Sequence, residues 1–400
     1  MQFGIDRLLT ETSLKKRLKK QRLALLAHPA SMTSDFVHSL DAIAACDELN
    51  LCVAFGPQHG LRGDKQDNMV ETKDEFDSKH AIPVYSLYGK VRRPTEEMLN
   101  QFDVLLFDIQ DIGCRIYTFI STLFYLLEDC ARTHKSLWVL DRPNPAGRPI
   151  EGFTLLEGQE SFVGAAPIPM RHGLTLGEAA RWYVDFKQLD IDLEIITMQD
   201  YHIEKSPGLG WHLNEFPWVN PSPNIATLNA ARCYAGTVIL EGTTLSEGRG
   251  TTRPLELFGA SDLDIPALLE TMQNLAPDWL AGCRLRETWF EPTFHKYQGQ
   301  LCAGLQIHTD YPDYQHEQFK PFRLLLLFLK SLRLQQPDYP IWRNFPYEYE
   351  LNRLAIDVIN GGTGLRDWVD NPDTSPASLE KQLLKDEQTW QLSTSSYHLY

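Results

Sequence analysis

The stretch LCVAFGPQHG at residues 51–60 decides the fold, because a short apolar run passes directly into a polar, glycine-flanked turn. Three further apolar runs end in the same way, at 23–27 before His28, at 104–107 before Asp108 and at 137–140 before Asp141. Continuous apolar runs of this length are typical of strands that are buried on both faces of a parallel sheet. Ligands of such sheets bind beyond the carboxyl ends of the strands, so the polar clusters predict one shared cleft.

The segments between these runs have the patterns of helices. The pattern predicts helices over 34–49 and 118–134, with Thr118 or Ser121 near the start of the second. A third helix is predicted over 175–186, because Thr175 and Glu178 have the spacing of a capping box. Short strands are also predicted at 82–87 and 193–196. Alternating strands and helices indicate right-handed crossovers and an α/β fold.

The chain changes character at PWVNPSPN, residues 217–224, where closely spaced prolines exclude a helix. A chain of 400 residues is long enough for two domains. We therefore predict a Rossmann-like parallel-sheet domain over 1–225 and a smaller α+β domain over 226–400 that closes the cleft. In the second domain we expect strands at 237–241 and 304–308 and helices at 265–275 and 322–332.

Charge and composition exclude several classes of protein. The chain has 38 Lys and Arg against 53 Asp and Glu, a net charge of −15, which argues against nucleic acid as a partner. The basic tract KKRLKK at 15–20 is then best explained as a solvated helix face. The start of the chain lacks the pattern of a signal peptide, and no apolar run approaches the roughly 18 residues of a membrane span. The sequence does not indicate an oligomeric state.

The cysteines and histidines do not have the spacing of metal sites. Seven scattered cysteines without a Cys-x-x-Cys pair indicate reduced thiols and a cytoplasmic protein. No His-Glu-x-x-His motif occurs, and no Gly-x-Ser-x-Gly motif indicates a serine hydrolase. We expect neither a metal nor a cofactor.

Several polar residues at the predicted strand ends are candidates for the site. Asp108 and Asp111 are close enough in sequence to divide acid and base roles, although either could instead cap a helix or pair with Arg115. Asp141 and Arg142 could contact a substrate or form a buried ion pair. His59, in a glycine-flanked turn, and His172, before a predicted helix, could contact a ligand or satisfy backbone groups.

The glycine-rich segment EGRGTTR at 247–253 lacks both the P-loop ending and the Gly-x-Gly-x-x-Gly pattern, which disfavours a nucleotide site. It is better interpreted as a loop that reaches into the cleft between the domains. From that loop Arg249 or Arg253 could bind a carboxylate in bidentate fashion, and Arg62 could do so from the first domain.

Seven ordered motifs together resemble one bacterial family, the exo-β-N-acetylmuramidases, from about residue 3 to Tyr400. The motifs are FGPQHGLRG (55–63), PVYSLYG (83–89), FDIQDIGCRIYTFISTLFY (107–125), LDRPNPAGRPIEG (140–152), PIPMRHGLTLGE (167–178), PWVNPSPN (217–224) and LEGTTLSEGRGTTRP (240–254). The resemblance implies a Rossmann-like domain and a smaller domain that enclose a cleft. It also implies removal of N-acetylmuramic acid from the non-reducing end of peptidoglycan fragments, with the lactyl carboxylate as a partner for the arginines.

The chain departs from this family at one position that matters for the chemistry. The family's second strand typically ends in Pro-Glu-His-Gly with the glutamate as the proposed catalytic carboxylate, whereas this chain has Pro57-Gln58-His59-Gly60. A glutamine cannot exchange a proton as a carboxyl group does, and glycoside hydrolysis ordinarily uses two carboxyl groups. Another acid would then be needed, and the acids nearest in sequence are Asp64, Asp67, Glu71 and Asp74.

These observations give a predicted catalytic set and a predicted substrate-binding set. The catalytic set is Gln58, His59, Asp108 and Asp64, and the substrate-binding set is Arg62, Asp111, Asp141, Arg142, His172, Asn224, Glu247, Arg249 and Arg253. The leading hypothesis is a glycosidase that acts on muramic-acid-containing fragments in cell-wall turnover. The alternatives are a non-hydrolytic binder or sensor of the same sugars, in which Gln58 marks a lost acid, and a hydrolase of different specificity.

Overall fold

The computed structural model describes residues 1–63, 65, 69–203, 210–212 and 215–400. Twelve strands lie in this part of the chain: β1 Arg22–Leu26, β2 Asn50–Gly56, β3 Glu75–Asp77, β4 Ile82–Ser86, β5 Val104–Phe107, β6 Ser136–Leu140, β7 Glu151–Thr154, β8 Pro169–Arg171, β9 Leu193–Ile196, β10 Leu257–Ala260, β11 Arg284–Phe290 and β12 Cys302–His308. The α-helices of the same residues are α1 Gly4–Thr10, α2 Thr12–Leu18, α3 Ser39–Ala44, α4 Glu96–Leu99, α5 Phe119–Arg132, α6 Leu176–Lys187, α7 Leu228–Thr237, α8 Ile265–Leu275, α9 Pro321–Gln335, α10 Ala355–Asn360, α11 Gly364–Asp370 and α12 Pro376–Thr394. None of the helices described is long and apolar enough to cross a membrane.

The described strands of the first half form one sheet in the order β3-β4-β2-β1-β5-β6-β9. All neighbours are parallel except the edge pair of β3 and β4. If only the parallel strands are counted, the chain order across the sheet is 3-2-1-4-5-6, which is the Rossmann order. The predicted α/β class with a parallel Rossmann-like sheet is therefore confirmed.

Side chains of the central strands alternate between two apolar cores, which explains why these strands are continuous apolar runs in the sequence. In β1, Ala24 and Leu26 enter one core, whereas Leu23 and Leu25 enter the other. The second core is covered by α1, α2 and α3. The first is shared with α5, α6 and α9, so the second half of the chain packs on one face of the sheet.

The second half is built on a smaller antiparallel sheet in the order β10-β12-β11, and β7 pairs with β8 in a separate two-stranded sheet. Helix α9 is buried over most of its length and packs against α7, α8 and α11. The smaller α+β unit expected from the sequence is thus present. The predicted boundary at residue 225 falls in the connection between β9 and α7 and stays a prediction, since the apolar core continues across it.

Two local predictions were wrong. Residues 237–241 were predicted as a strand, but they continue from α7 into a short 3₁₀ helix, Val238–Gly242. A short apolar run that is buried on all sides does not distinguish strand from helix. The helix predicted over 34–49 is reduced to α3, because Phe36 has a left-handed backbone (φ 61°) and the His38 side chain caps the helix. The capping box of Thr175 and Glu178 on α6 is confirmed.

Candidate active site

A polar pocket lies where β2, the start of α5 and the second half of the chain meet. Gln58 and His59 reach it from the turn after β2, and Thr118 reaches it from the N-cap of α5. The second half contributes Asn224, Glu241, Arg249, Tyr347 and Glu348. The cavity is small, about 30 Å³, so a sugar ring can enter only if part of the rim moves.

The amide of Gln58 is oriented by two neighbours. The Thr118 hydroxyl donates to Gln58 Oε1 over 2.6 Å, which leaves the Nε2 group as the donor toward Glu348. Gln58 Nε2 lies 3.5 Å from Glu348 Oε1. Because its hydroxyl is bound to Gln58, Thr118 makes no side-chain cap for α5. The amide therefore presents its donor, and not its acceptor, to a carboxyl group.

Glu348 is a buried carboxyl group that the sequence did not indicate. Its side chain accepts hydrogen bonds from the Tyr88 hydroxyl, which lies 2.9 Å from Oε1 and 2.8 Å from Oε2. Burial raises the pKa of Glu348 to about 7, against the effect of the hydrogen bonds from Tyr88 and Gln58, and the negative charge of Glu241 acts in the same direction as burial. Such a carboxyl group can hold a proton close to neutral pH.

The pocket rim contains strained backbone. Glu348 and Tyr349 are consecutive residues in the left-handed region, with φ of 48° and 68°, and His59 has φ of 69°. Such conformations are uncommon for residues other than glycine, and they concentrate at functional sites. The segment that holds Glu348 is therefore fixed by its surroundings and not by local preference.

Arg249 connects two carboxylates behind the pocket. Its Nη2 lies 2.5 Å from Glu241 Oε1, and its Nε lies 3.1 Å from Glu247 Oε1. Glu247 also pairs with Lys296 at 2.7 Å. Although burial alone would raise it, the charges of Lys296 and Arg249 lower the pKa of Glu247 to about 2. Tyr347 donates to the other oxygen of Glu241. The charges in this cluster balance one another.

The pocket brings together four of the predicted site residues, Gln58, His59, Asn224 and Arg249, and Glu247 lies directly behind Arg249. His59 Nδ1 lies 2.9 Å from the carbonyl of Lys65. Of the acids proposed near Gln58, Asp64 and Asp67 lie outside the described residues. Glu71 accepts from the Tyr349 hydroxyl at 3.0 Å, and Asp74 from the backbone of Ser86 at 2.9 Å.

Asp108 and Arg142 do not line this pocket. They form a bidentate, fully buried ion pair, with Arg142 Nε 2.6 Å from Asp108 Oδ1 and Nη2 2.8 Å from Oδ2. The Ser39 hydroxyl also donates to Asp108. This group fills the crevice between β1 and β5, where the strand order reverses and where ligands of doubly wound sheets usually bind. The candidate pocket lies instead beyond the end of β2, at Gln58 and His59.

Asp141 holds the chain terminus and α6 in place. It accepts from the hydroxyls of Thr175 and Tyr400 and from the backbone N–H of Gly177. Burial raises its pKa to about 6. Asp111 accepts from the backbone N–H of Gly113 at 2.7 Å. It is not paired with Arg115, whose guanidinium donates to the backbone carbonyls of Phe153, Ile168, Ile359 and Asn360.

The remaining predicted residues lie apart from the pocket. His172 Nε2 is 3.7 Å from Asp111 Oδ2, with both side chains buried. Arg62 is exposed, 3.7 Å from Glu75, and lines a separate groove of about 450 Å³. Arg253 pairs with Glu256 at 3.2 Å and is partly exposed. No group of three or more potential metal ligands was found among the described residues.

The pocket residues that were not predicted from the sequence are Glu348, Glu241, Tyr347 and Tyr88. Glu348 does not follow an apolar strand but lies in the irregular stretch before α10. The one available signal was the segment FPYEYE at 345–350, where acidic residues alternate with aromatic residues directly after a proline, the period of a half-buried strand although no named strand forms there.

Comparisons with known proteins agree over the whole chain. Models of the N-terminal and C-terminal parts of the exo-beta-N-acetylmuramidase NamZ match residues 23–229 and 232–400. The peptidoglycan beta-N-acetylmuramidase NamZ of Bacillus subtilis (strain 168) is 36% identical over 401 residues, which cover 100% of this chain and 91% of that protein.

Two solved structures, both of DUF1343 family proteins from Bacteroides fragilis NCTC 9343, have the same fold. One is 28% identical with a TM-score of 0.85, and the other is 24% identical with a TM-score of 0.74; each match covers 100% of this chain and 98% of the other. The structure at 24% identity shows only that the fold is shared. Since the two family models span nearly the entire sequence, the chain belongs to the exo-β-N-acetylmuramidase NamZ family.

Proposed function

We propose that this protein is a glycoside hydrolase that removes N-acetylmuramic acid from peptidoglycan fragments. The observation that carries the proposal is the match to a peptidoglycan beta-N-acetylmuramidase over the full length of the chain. The pocket supports it with a buried carboxyl group, Glu348, whose pKa is raised to about 7. General acid catalysis of glycoside cleavage needs a carboxyl group that is still protonated near the working pH.

The lactyl carboxylate of muramic acid needs a cationic partner, and we propose Arg62 and Arg249 as the candidates. Arg249 lines the pocket but already binds Glu241 and Glu247, so a ligand would compete with both. Arg62 has a largely exposed guanidinium in the neighbouring groove. Arg253 is the third predicted arginine and is bound to Glu256.

The test is hydrolysis of a chromogenic glycoside of N-acetylmuramic acid, with the matching N-acetylglucosamine glycoside as the control. The two sugars differ only in the lactyl group, so faster cleavage of the muramic glycoside is expected. Arg62→Ala should reduce this preference if Arg62 binds the lactyl carboxylate. Absence of cleavage of both glycosides between pH 5 and pH 8 would contradict the proposed hydrolase.

A non-hydrolytic binder of muramic sugars is the second candidate, and the amide of Gln58 favours it. Position 58 lies in the pocket but has no ionisable group. Calorimetry with N-acetylmuramic acid separates the two candidates: a binder gives heat of binding without turnover.

We also propose a cytoplasmic location, since none of the seven cysteines is in a disulfide.

A further inference from the structure

We propose that Glu348 is the catalytic acid of this protein, and that Gln58 and Tyr88 are the positioning residues that hold its carboxyl group. The proposal rests on the proposed hydrolase function and assigns its proton donor. It depends on four observations: the placement of Glu348, the absence of an ion pair to it among the described residues, its hydrogen bonds and the backbone that presents it.

Glu348 lies in the pocket, across from Gln58 in the turn after β2. Glu348 and Gln58 both line the cavity, and their polar atoms are 3.5 Å apart. Glu348 is only 6% exposed. Its carboxyl group can therefore contact a substrate only inside the pocket.

Glu348 and Glu241, the other carboxylate of the pocket, have different charged neighbours. Glu241 is paired with Arg249 at 2.5 Å and also accepts a hydrogen bond from the Tyr347 hydroxyl. For Glu348, by contrast, no ion pair is found in the described part of the chain. The guanidinium of Arg92 lies nearby but stacks over the Tyr88 ring, 4.0 Å from its centroid. Glu348 is thus the pocket carboxyl best able to hold a proton.

The hydrogen bonds also fit a group that gives its proton away. Tyr88 Oη contacts both carboxylate oxygens, and the Gln58 amide, fixed by Thr118, presents Nε2 to one of them. These donors stabilise the anion that remains after proton transfer. Burial outweighs them and keeps the pKa at about 7. A pKa near the working pH is what general acid catalysis requires.

The backbone at Glu348 gives the fourth observation. The left-handed conformations of Glu348 and Tyr349 cost free energy relative to the ordinary backbone regions. A strained segment persists only where packing enforces it. Here the strain places the carboxyl against Tyr88 and Gln58, which links the unusual conformation to the position of the acid.

The proposed step is proton donation by Glu348 coupled to cleavage of the glycosidic bond. The Glu348 carboxyl gives its proton to the glycosidic oxygen while the bond between C1 of the sugar and that oxygen breaks. The bonding electron pair stays on the leaving oxygen, which departs as an alcohol. A water oxygen then bonds to C1, and the proton that this water loses returns to the Glu348 carboxylate.

The experiment compares Glu348→Gln with wild type on two muramic substrates that differ in their leaving group. The disaccharide with N-acetylglucosamine has a poor leaving group that needs protonation, whereas the nitrophenyl glycoside has a good one. We expect kcat/KM for the disaccharide to fall by roughly 10²–10⁴, and far less for the nitrophenyl glycoside. Glu350→Gln, on the same segment but paired with Arg353 outside the pocket, is the control and should retain wild-type rates.

A second measurement does not depend on the folding of the glutamine variant. Wild-type kcat/KM should fall as pH rises through about 7, because Glu348 loses its proton there. Tyr88→Phe removes a donor to the anion, so this fall should move to higher pH.

Two results would overturn the assignment while leaving the hydrolase intact: equal losses for both substrates in Glu348→Gln, or a pH profile that Tyr88→Phe does not move. A wild type that binds N-acetylmuramic acid in calorimetry but cleaves neither substrate would instead overturn the hydrolase function, and the acid with it.

Discussion

Replacing Gln58 by glutamate places a second carboxyl group against Glu348 and so tests the electrostatics of the pocket directly. The two polar atoms are 3.5 Å apart in the present structure. Two unit charges at that distance repel by about 5 kcal/mol at an effective dielectric constant of about 20. This energy corresponds to about 3.5 pKa units between the first and second ionisations of the pair.

The expected result is a shift of the pH profile and not a simple gain or loss. With Gln58, the single carboxyl loses its proton near pH 7. With Gln58→Glu, the pair keeps one shared proton to a higher pH, so the decline of kcat/KM should move upward by about two to three pH units. The assay is kcat/KM for the muramic disaccharide from pH 4 to pH 10, with Gln58→Met as the control that adds no charge.

Either of two outcomes would refute this reasoning. If wild type is nearly inactive and Gln58→Glu gains a factor of about 10²–10⁴, then position 58 itself is the site of the acid and Glu348 is not sufficient. An unmoved decline of kcat/KM near pH 7 in an active Gln58→Glu variant would equally show that the two carboxyl groups do not share a proton.

Three further predictions concern stability and positioning. Wild type should lose about 3 kcal/mol of unfolding free energy relative to Glu348→Gln as pH rises from about 4.5 to above 7. The reason is that the folded-state pKa of Glu348 is raised, so ionisation of this carboxyl destabilises the folded state across that window. Urea unfolding of both proteins at pH 4.5 and pH 8 measures the change. Arg142→Met should cost about 3–5 kcal/mol of unfolding free energy by leaving Asp108 charged and buried, with kcat of the folded protein unchanged. Thr118→Val should free the Gln58 amide to rotate and lower kcat about fivefold, as expected for a lost hydrogen bond of about 1 kcal/mol, with KM little changed in the same assay.

The sheet could be predicted from sequence because its strands are buried on both faces. The apolar run that two cores demand is present in each of β1, β2, β5 and β6. The error at residues 237–241 has the same origin. A buried turn of helix after α7 is also apolar on every side, so its sequence does not differ from that of a strand.

The site was predicted only in part, because a position at a strand end does not determine which way a side chain points. Asp108, Asp141 and Gln58 all follow apolar strands, yet only Gln58 lines the pocket. Asp108 is held by Arg142 and Asp141 by Thr175 and Tyr400, and these partners lie 34 to 259 residues away in the chain. Such pairings depend on tertiary packing, which the local sequence does not encode.

Tertiary packing also brings an acid into the pocket although position 58 has an amide. In the sequence, Gln58 stands where the family has a glutamate, and the nearest candidates for another acid include Glu71 and Asp74. In the structure these two carboxylates bind other groups. The carboxyl that the fold supplies is 290 residues away, on a strained segment whose position is set by contacts with Tyr88 and Gln58. An uncharged partner at position 58 leaves Glu348 without a competing negative charge at 3.5 Å. Under the proposed assignment of Glu348 as the acid, the glutamine is not a lost acid but a neutral neighbour that lets Glu348 alone hold and release a proton near pH 7.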